Sequence, residues 1–504
     1  MSKFLQNINL GSIKLKQKKF NINYFADNID YYFPAISNLP YPFIFQSKDI
    51  SPIYGRLSLI GFDPILKISG KDENFCIELL QSRGKKFFDA IDSKDFNEVK
   101  NFKKTTQKIS GLIKKEQKIF SEEKRPQKRT IADSLKIFLE KFKSKDKTFC
   151  GLYGAFSYDF VRLFEQLPTE NPDNNIADFT FFIYDSFLYF DHLKEKAFCI
   201  LLRENQQKIE NDFLNLSNNF KKKVINNDFK IENGKFDLNK KEFKALVRKA
   251  KNLAQRGELF EIVFSRTFKA NFTGSPFAFY KKYRQNNPSP YMFYFDFGKE
   301  EFLIGASPEM MLRVENNLVH CRPISGTCQR SINPIEDHEN MLYLLSSDKE
   351  RSELDMLIDL GRNDLARICE KGIKIKEYRT VEKYSRVMHT IAHLTGKLKK
   401  DFSSLDAYIA CSNAGTLTGA PKFAAMCEIE KWEKTRRGYY GGGIGYFSFS
   451  GDMDTGIIIR TAHLQKNKLS LRVGATLLYD SDEEGEFLET ENKARAFLDL
   501  VSKQ

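Results

Sequence analysis

None of the eight cysteines forms a CxxC pair, and none is accompanied by histidines at zinc-ligand spacing. A structural zinc site and a disulfide framework are both set aside on that count. Cys76, Cys150, Cys199, Cys321, Cys328, Cys369, Cys411 and Cys427 are scattered singly, which suits a reducing compartment. No run of ~18 apolar residues exists to span a bilayer. The opening stretch MSKFLQNINLGSIKLKQKK lacks the apolar core of a secretory signal, so the expected location is the cytoplasm. No internal repeat of fixed period is found. The 80 basic residues exceed the 66 acidic ones, giving a formal charge of +14, yet both signs interleave along the whole length. No arginine-rich arm, zinc-finger spacing or RNA-binding signature accompanies them. The charge therefore reads as solvated surface that also attracts an anionic substrate, and no nucleic-acid or membrane partner is expected. A basic nucleic-acid-binding protein is the distant alternative; it would be retained on heparin with a steep salt slope.

What is present describes a large folded chain. Hydrophobic residues make up 41% and aromatics 13% of the 504, which fits a globular protein rather than a disordered one. Length alone suggests two to four domains. Residues 1 to about 75 alternate apolar runs with turn residues and read as strands. Asp95 to Arg129 is lysine-rich with weak periodicity and reads as surface helix or loop. TFFIYDSFLYFDHLKEKAFCILL reads as two strands joined near His192. Residues 203–235 are polar and rich in Asn and Lys, the best linker candidate, dividing the chain into 1–235 and 236–504. The second part opens with a helix from Lys240 to Arg256, stopped by Gly257. Strand-like runs follow in ELFEIVFSRTFKANF and NPSPYMFYFDF, then a hairpin through Glu315-Asn316-Asn317.

Chemistry concentrates further on. After the Gly326-Thr327 turn, Leu342, Leu345, Met356, Leu357 and Leu360 recur at helical spacing and predict one long helix. Glu350 and Glu353 stand three apart, so a helix projects both from one face; Glu486 and Glu489 repeat the arrangement downstream. Two such pairs are what a magnesium site facing an acidic substrate needs. The plainer alternative is a solvated face, with Glu489 paired to Lys493. AGTLTGAPKFAAM sets a Gly-Thr-rich loop before a helix beginning at Pro421, an anion-binding arrangement. YGGGIGYF strips side chains from a strand entry, so a flat ligand can approach the backbone. Arg460 is a charge in an apolar strand and matches a ligand carboxylate, or else a structural ion pair. His389, on an apolar helix face, is a general base or a packed, satisfied residue.

The joint pattern is more specific than its parts. RPISGT, KERSELDMLIDLGRND, VEKYSRVMHT, AGTLTGAPK, YYGGGIGYF, GDMDTGIIIRTA and ETENKARA, in that order between Arg322 and Ala496, resemble the chorismate-utilising enzymes. The resemblance is greatest to the anthranilate synthase component I family. PYPFIFQS, GRLSLIGFDP and GLYGAFSYDFVRLFEQLP extend it over nearly the whole chain, weakest from about 75 to 145 and from 200 to 240. It implies an α+β fold, with two large, mostly antiparallel sheets packed face to face, surrounding helices, and one intertwined unit.

The resemblance also implies roles. Glu350, Glu353, Glu486 and Glu489 would hold Mg2+ beside chorismate. Gly326, Thr327 and Thr416 would cradle the ring carboxylate. Tyr440, Arg460 and the backbone around Gly474, Ala475 and Thr476 would hold the pyruvyl carboxylate, with Lys493 beside the metal carboxylates. Glu309 would protonate the departing hydroxyl, and His389 would assist loss of pyruvate; Thr327 and Glu261 complete the catalytic set. Isochorismate and salicylate synthases carry a water-activating lysine where this chain has Glu261. Aminodeoxychorismate synthases carry a lysine where it has Ser325. Both differences point to attack by ammonia, giving anthranilate and pyruvate for tryptophan biosynthesis. A phenazine-type synthase that stops at 2-amino-2-deoxyisochorismate is the alternative. The chain ends at Gln504 and no cysteine stands in an amidotransferase nucleophile context, so a separate glutamine amidotransferase subunit and a hetero-oligomer are expected. Gln46, Ser47, Pro290, Tyr291 and Met292 match an inhibitory tryptophan site, in which Gln46 replaces the usual glutamate.

Overall fold

Period-two burial dominates the chain, and it produces two large antiparallel sheets. The computed structural model describes residues 5–47, 57–116, 121–220, 228–384 and 387–502. Each sheet has thirteen strands among the described residues. Runs buried on both sides, such as Phe179–Tyr184 (FTFFIY), lie where the sheets press together. Phe43 of one sheet meets Tyr153 and Tyr184 of the other, with ring centroids 5.0 and 4.8 Å apart, and Phe295 meets Phe182 at 5.9 Å. Each fully buried side chain of this size stabilises by roughly 1.5–3 kcal/mol relative to exposure. The outer face of the first sheet is covered by Asn28–Ile36, Pro276–Asn286 and Glu483–Ser502, whose apolar faces build a second core.

The two parts of the chain share both sheets. In the first, Phe43–Gln46 pairs with Tyr291–Gly298; in the second, Gly151–Phe156 pairs with Gly443–Ser448. Along each sheet, strands from before residue 204 lie on one side of that pair and strands from after 228 on the other. Both hydrophobic cores draw on both sides.

Several local expectations hold. The helix Lys240–Gln255 is closed by a capping box between Asn239 and Glu242 and followed by Gly257 at φ +73°. Asn316 and Asn317 have φ +51° and +63°, the two left-handed residues of a tight hairpin turn.

Others are corrected. The proposed linker contains the helix Gln206–Ser217 and the strand Phe229–Phe236, which pairs with Glu261–Gly274 and buries Phe229 and Ile231; residues 221–227 lie outside the described residues. Polarity misled there because Gln206–Ser217 buries only Ile209 and Leu216. The lysine-rich stretch holds two strands, Lys100–Lys104 and Lys108–Leu112, an exposed hairpin whose inward residue is Ile109. TFFIYDSFLYFDHLKEKAFCILL makes three strands, because the chain crosses from one sheet to the other at Asp185. That buried carboxylate is held by Arg83 and Arg203. The first 75 residues also contain a helix, Asn28–Ile36. All eight cysteines are free, and among the described residues no helix is long and apolar enough to cross a membrane.

Candidate active site

The strand Ile324–Gln329 pairs with Val387–Lys397 and breaks register between Ser325 and Thr327, opposite His389. Gly326 makes this possible at φ +69°; a side chain there would also strike Glu350 Oε2, 2.6 Å from an added Cβ. His389 therefore lies on a strand and not on a helix, its neighbours Met388 and Thr390 packing on the opposite face. Its Nδ1 is 3.0 Å from the Gly326 carbonyl oxygen and 3.0 Å from Thr327 Oγ1. A carbonyl only accepts, so Nδ1 carries the hydrogen and Nε2 keeps a free lone pair. Burial pushes the imidazole pKa down to about 4, against the raising effect of the Gly326 hydrogen bond, and leaves the ring neutral at physiological pH.

Glu309 precedes the strand Met310–Glu315 and is buried; it accepts a hydrogen bond from Thr416 Oγ1 at 2.9 Å. Burial raises its pKa to about 7, despite that hydrogen bond and the charges of Lys493 and Arg460. Thr416 belongs to a short helical turn, Gly415–Thr418, so the expected loop is partly helical. Pro421 caps the helix Lys422–Trp432 instead of starting it. Arg460 is likewise displaced from the expected strand. It stands in a bend at φ +49°, between Met453–Ile457 and Thr461–Gln465. Tyr283 Oη and the Ala306 amide bind its main-chain carbonyl, while its guanidinium donates to no group among the described residues. Burial lowers its pKa, opposed by Tyr283, Glu309 and Tyr384. The structural ion pair considered from sequence is thus not formed among the described residues. Lys493 Nζ donates to the Gly474 carbonyl at 3.0 Å and pairs with Glu489 at 2.6 Å. Gly474, Ala475 and Thr476 run along Ser265, Phe264 and Val263, and a Cβ on Gly474 would lie 2.8 Å from Tyr440 Oη.

The predicted long helix is two helices, Pro334–Ser346 and Asp348–Ile368. Ser347 separates them: its extended backbone ends the first, and its Oγ accepts from the Glu350 amide to cap the second. Apolar residues stop at Leu345 and resume only at Leu354, and a count of leucines at helical spacing passes over that gap. Glu350 and Glu353 project from the second helix, Glu486 and Glu489 from Glu483–Ser502. Burial raises the pKa of Glu350 and Glu353, and each also feels the charge of Glu489. Burial, followed by Glu353, raises Glu261 to about 7; burial also takes Glu486 to about 7. Glu261 Oε1, Glu350 Oε2 and Glu486 Oε2 are buried with no hydrogen-bond partner. Ser325 donates to Glu353 at 3.3 Å and Ser481 to Glu486 at 2.6 Å. Among the described residues, no three His, Cys, Asp or Glu side chains stand at ligand spacing as placed. The surplus of oxygen acceptors with orphaned lone pairs nonetheless fits a hard divalent cation.

A second cluster lies at the seam of the first sheet. Gln46 pairs with Met292, and its Oε1 accepts from Tyr280 Oη at 3.1 Å and Arg284 at 2.8 Å. Arg284 also binds Asp27 and Asp30, at 2.7 and 2.9 Å. Ser47 Oγ is buried without a hydrogen-bond partner, Pro290 is buried, and Tyr291 Oη donates to Asp454. Sequence reasoning missed Arg284; its place three residues before the Asn287-Pro288 turn gave only a weak signal.

The chorismate binding enzyme family matches residues 95–499. The chain belongs to this family. Anthranilate synthase component 1 of Buchnera aphidicola subsp. Pemphigus spyrothecae is 35% identical over 479 residues, covering 91% of each chain. The component 1 protein of Aquifex aeolicus is 36% identical over 366 residues, 70% of this chain and 74% of its own. Among solved structures, anthranilate synthase component I from Streptococcus pneumoniae TIGR4 superposes with a TM-score of 0.67 at 29% identity, covering 89% of this chain and 93% of that one. The isochorismate synthase MenF of Escherichia coli has the same TM-score at 15% identity, over 99% and 96%. That last likeness concerns the fold alone. The two-sheet α+β architecture is therefore shared with both solved structures, and this chorismate-binding enzyme keeps its candidate acid, base and carboxylates within one connected region.

Proposed function

We propose that this enzyme is component 1 of an anthranilate synthase, converting chorismate and ammonia to anthranilate and pyruvate. The observation that carries the reading is the identity of 35% across 91% of a chain named for that component. Glu261 and Ser325 support it: neither supplies an amine, leaving the nucleophile to be ammonia.

Glu309, held by Thr416 and buried, donates its proton as the ring hydroxyl leaves as water. Ammonia adds at the ring carbon next to the one bearing the carboxylate and gives up a proton, forming the ring amine. In the second step His389 Nε2 takes the hydrogen on the carbon that now carries nitrogen. The ether bond to the ring breaks, the enolpyruvyl fragment takes up a proton and leaves as pyruvate, and the ring becomes aromatic. Thr327 and Gly326 hold the imidazole; Thr416 and Gly326-Thr327 face the ring carboxylate, and Arg460, Tyr440, Lys493 and the Gly474–Thr476 backbone the pyruvyl carboxylate. Glu350, Glu353, Glu486 and Glu489 would hold Mg2+, which when bound offsets their charge and binds a substrate carboxylate as a Lewis acid.

The component 1 naming of the relatives supports a second component, a glutamine amidotransferase that releases ammonia in the cytoplasm. Tryptophan is proposed as an inhibitor acting at Gln46, Ser47 and Pro290–Met292; activity unchanged at millimolar tryptophan would sink this part. The decisive test is incubation with chorismate, magnesium and ammonium near neutral pH, with products separated by mass. Anthranilate with equimolar pyruvate is expected. Accumulated 2-amino-2-deoxyisochorismate would assign the phenazine-type reaction, and isochorismate formed without ammonia would overturn the reading of Glu261.

A further inference from the structure

Glu433 lies just past the helix Lys422–Trp432, its side chain almost wholly inaccessible at 2%. Five donors converge on this one carboxylate. They are the Ser265 amide at 2.9 Å, Ser265 Oγ at 2.7 Å, Arg437 through Nε at 3.0 Å and a terminal nitrogen at 2.7 Å, and Arg472 at 2.9 Å. The remaining donors of the arginines go mostly to main chain. Arg437 binds the carbonyls of Leu417 and Val263, the latter at 2.6 Å. Arg472 binds the Thr435 carbonyl and, at 2.9 Å, Thr267 Oγ1. The Arg437 guanidinium also lies over the rings of Tyr158 and Tyr440, 4.8 and 5.5 Å from their centroids. Tyr158 Oη in turn meets Thr418 Oγ1 at 3.3 Å.

These contacts select particular segments. Leu417 is the neighbour of Thr416; Val263 and Ser265 run beside Gly474–Thr476, and Val263 follows Glu261 by two residues. Arg472 is on that same Gly474–Thr476 strand, and Arg437 precedes Tyr440 by three. A single buried carboxylate thus ties together the turn proposed to face the ring carboxylate with both strands and the tyrosine loop on the pyruvyl side of the proposed substrate site. Burying three charges is costly, and apolar residues of equal volume would serve stability as well. What apolar packing would not provide is directional hydrogen bonds to chosen carbonyls. Burial alone would raise the Glu433 pKa, but the Arg437 and Arg472 charges hold it below the usual range, so the carboxylate stays ionised. One positive charge is left over from the triad, beside Tyr440, where it favours an anionic ligand.

We propose that Glu433, acting through Arg437 and Arg472, is a positioning residue that sets the geometry of the substrate-carboxylate pocket. The role rests on the chorismate reading above. It touches neither Glu309 nor His389, so its loss is felt in substrate binding before chemistry. The test compares wild-type enzyme with Glu433→Gln and with the milder Arg437→Lys, which keeps the charge but loses the branched donor. Thermal melting and circular dichroism check folding. We expect KM for chorismate to rise at least about tenfold in both, with kcat within about threefold of wild type. Should Glu433→Gln fail to fold, Arg437→Lys carries the test alone. Wild-type KM in the folded variants, or a loss confined to melting temperature and kcat, would overturn the positioning role. A wild-type chain that turns over no chorismate would overturn the functional reading, and this role with it.

Discussion

In the proposed mechanism Glu309 and His389 divide acid and base work by environment. The carboxyl, raised to about 7, is protonated below that pH and loses its acidic proton above it. The imidazole, lowered to about 4, is a free base throughout the physiological range and is lost only as pH falls through that value. The rate of hydroxyl loss should therefore decline as pH rises beyond about 7, and His389 should impose no acid limb between pH 5 and 8. Glu309→Gln should lower kcat by roughly a hundredfold or more and flatten the alkaline limb. His389→Ala should let the amino intermediate accumulate, read by mass, with pyruvate release slowed. At this scale the sequence was informative for residue types and poor for their settings. It placed His389 on a helix and Arg460 in a strand, because neither a register break at Gly326 nor a bend at φ +49° leaves a trace in apolar periodicity. Glu433 escaped notice because a Glu within the charge-rich run EIEKWEKTRR reads as a solvated face until burial is known.

At the level of elements, the break at Ser347 sets the start of the helix that carries Glu350 and Glu353, two of the proposed magnesium carboxylates. Its Oγ caps the helix at the amide of Glu350, so Ser347→Ala should cost ~1 kcal/mol and raise the magnesium concentration needed for half-maximal activity several-fold. Ser347→Asp should keep both near wild type. Two buried carboxylates, one opening the strand Glu261–Gly274 and one on the helix Glu483–Ser502, also make stability depend on pH. Glu261 and Glu486 have pKa values raised from 4.5 to about 7 in the folded chain. The folded state therefore binds their protons more tightly, and the stability this contributes is full below about 4.5 and lost as pH rises through about 7. Melting temperature in chelator should fall between pH 5 and 8, and added magnesium should restore it more at pH 8 than at pH 5. An equal magnesium response at both pH values would contradict the assignment. The pairing of the carboxylates three apart was readable from sequence; their convergence with Glu261, more than eighty residues upstream of Glu350, was legible only through the family resemblance.

The whole molecule is joined along two strand pairs. Expressed separately, residues 1–220 and 228–504 would each expose Phe43–Gln46 or Tyr291–Gly298 in one sheet, and Gly151–Phe156 or Gly443–Ser448 in the other. Open hydrophobic edges of this kind aggregate. Each half alone should be insoluble, whereas co-expression should yield a soluble, co-purifying pair with chorismate turnover; a stable, monomeric 228–504 fragment would refute this. Two antiparallel sheets in one intertwined unit agree with the resemblance. Length and composition suggested several domains, since neither reports that strands far apart in sequence complete each other's sheets.

Arg460 carries one more consequence. Its carbonyl is pinned by Tyr283 and Ala306, while its guanidinium, which feels the Glu309 carboxyl, donates to no group among the described residues. The resting enzyme therefore holds an unmet demand for negative charge, and small dianions of the buffer will satisfy it. Phosphate or sulfate should raise the melting temperature and compete with chorismate, whereas chloride at matched ionic strength should do neither. Arg460→Met should abolish that preference between buffers. Comparisons of chorismate affinity made in phosphate and in a zwitterionic buffer would then differ for reasons belonging to one arginine, not to the substrate.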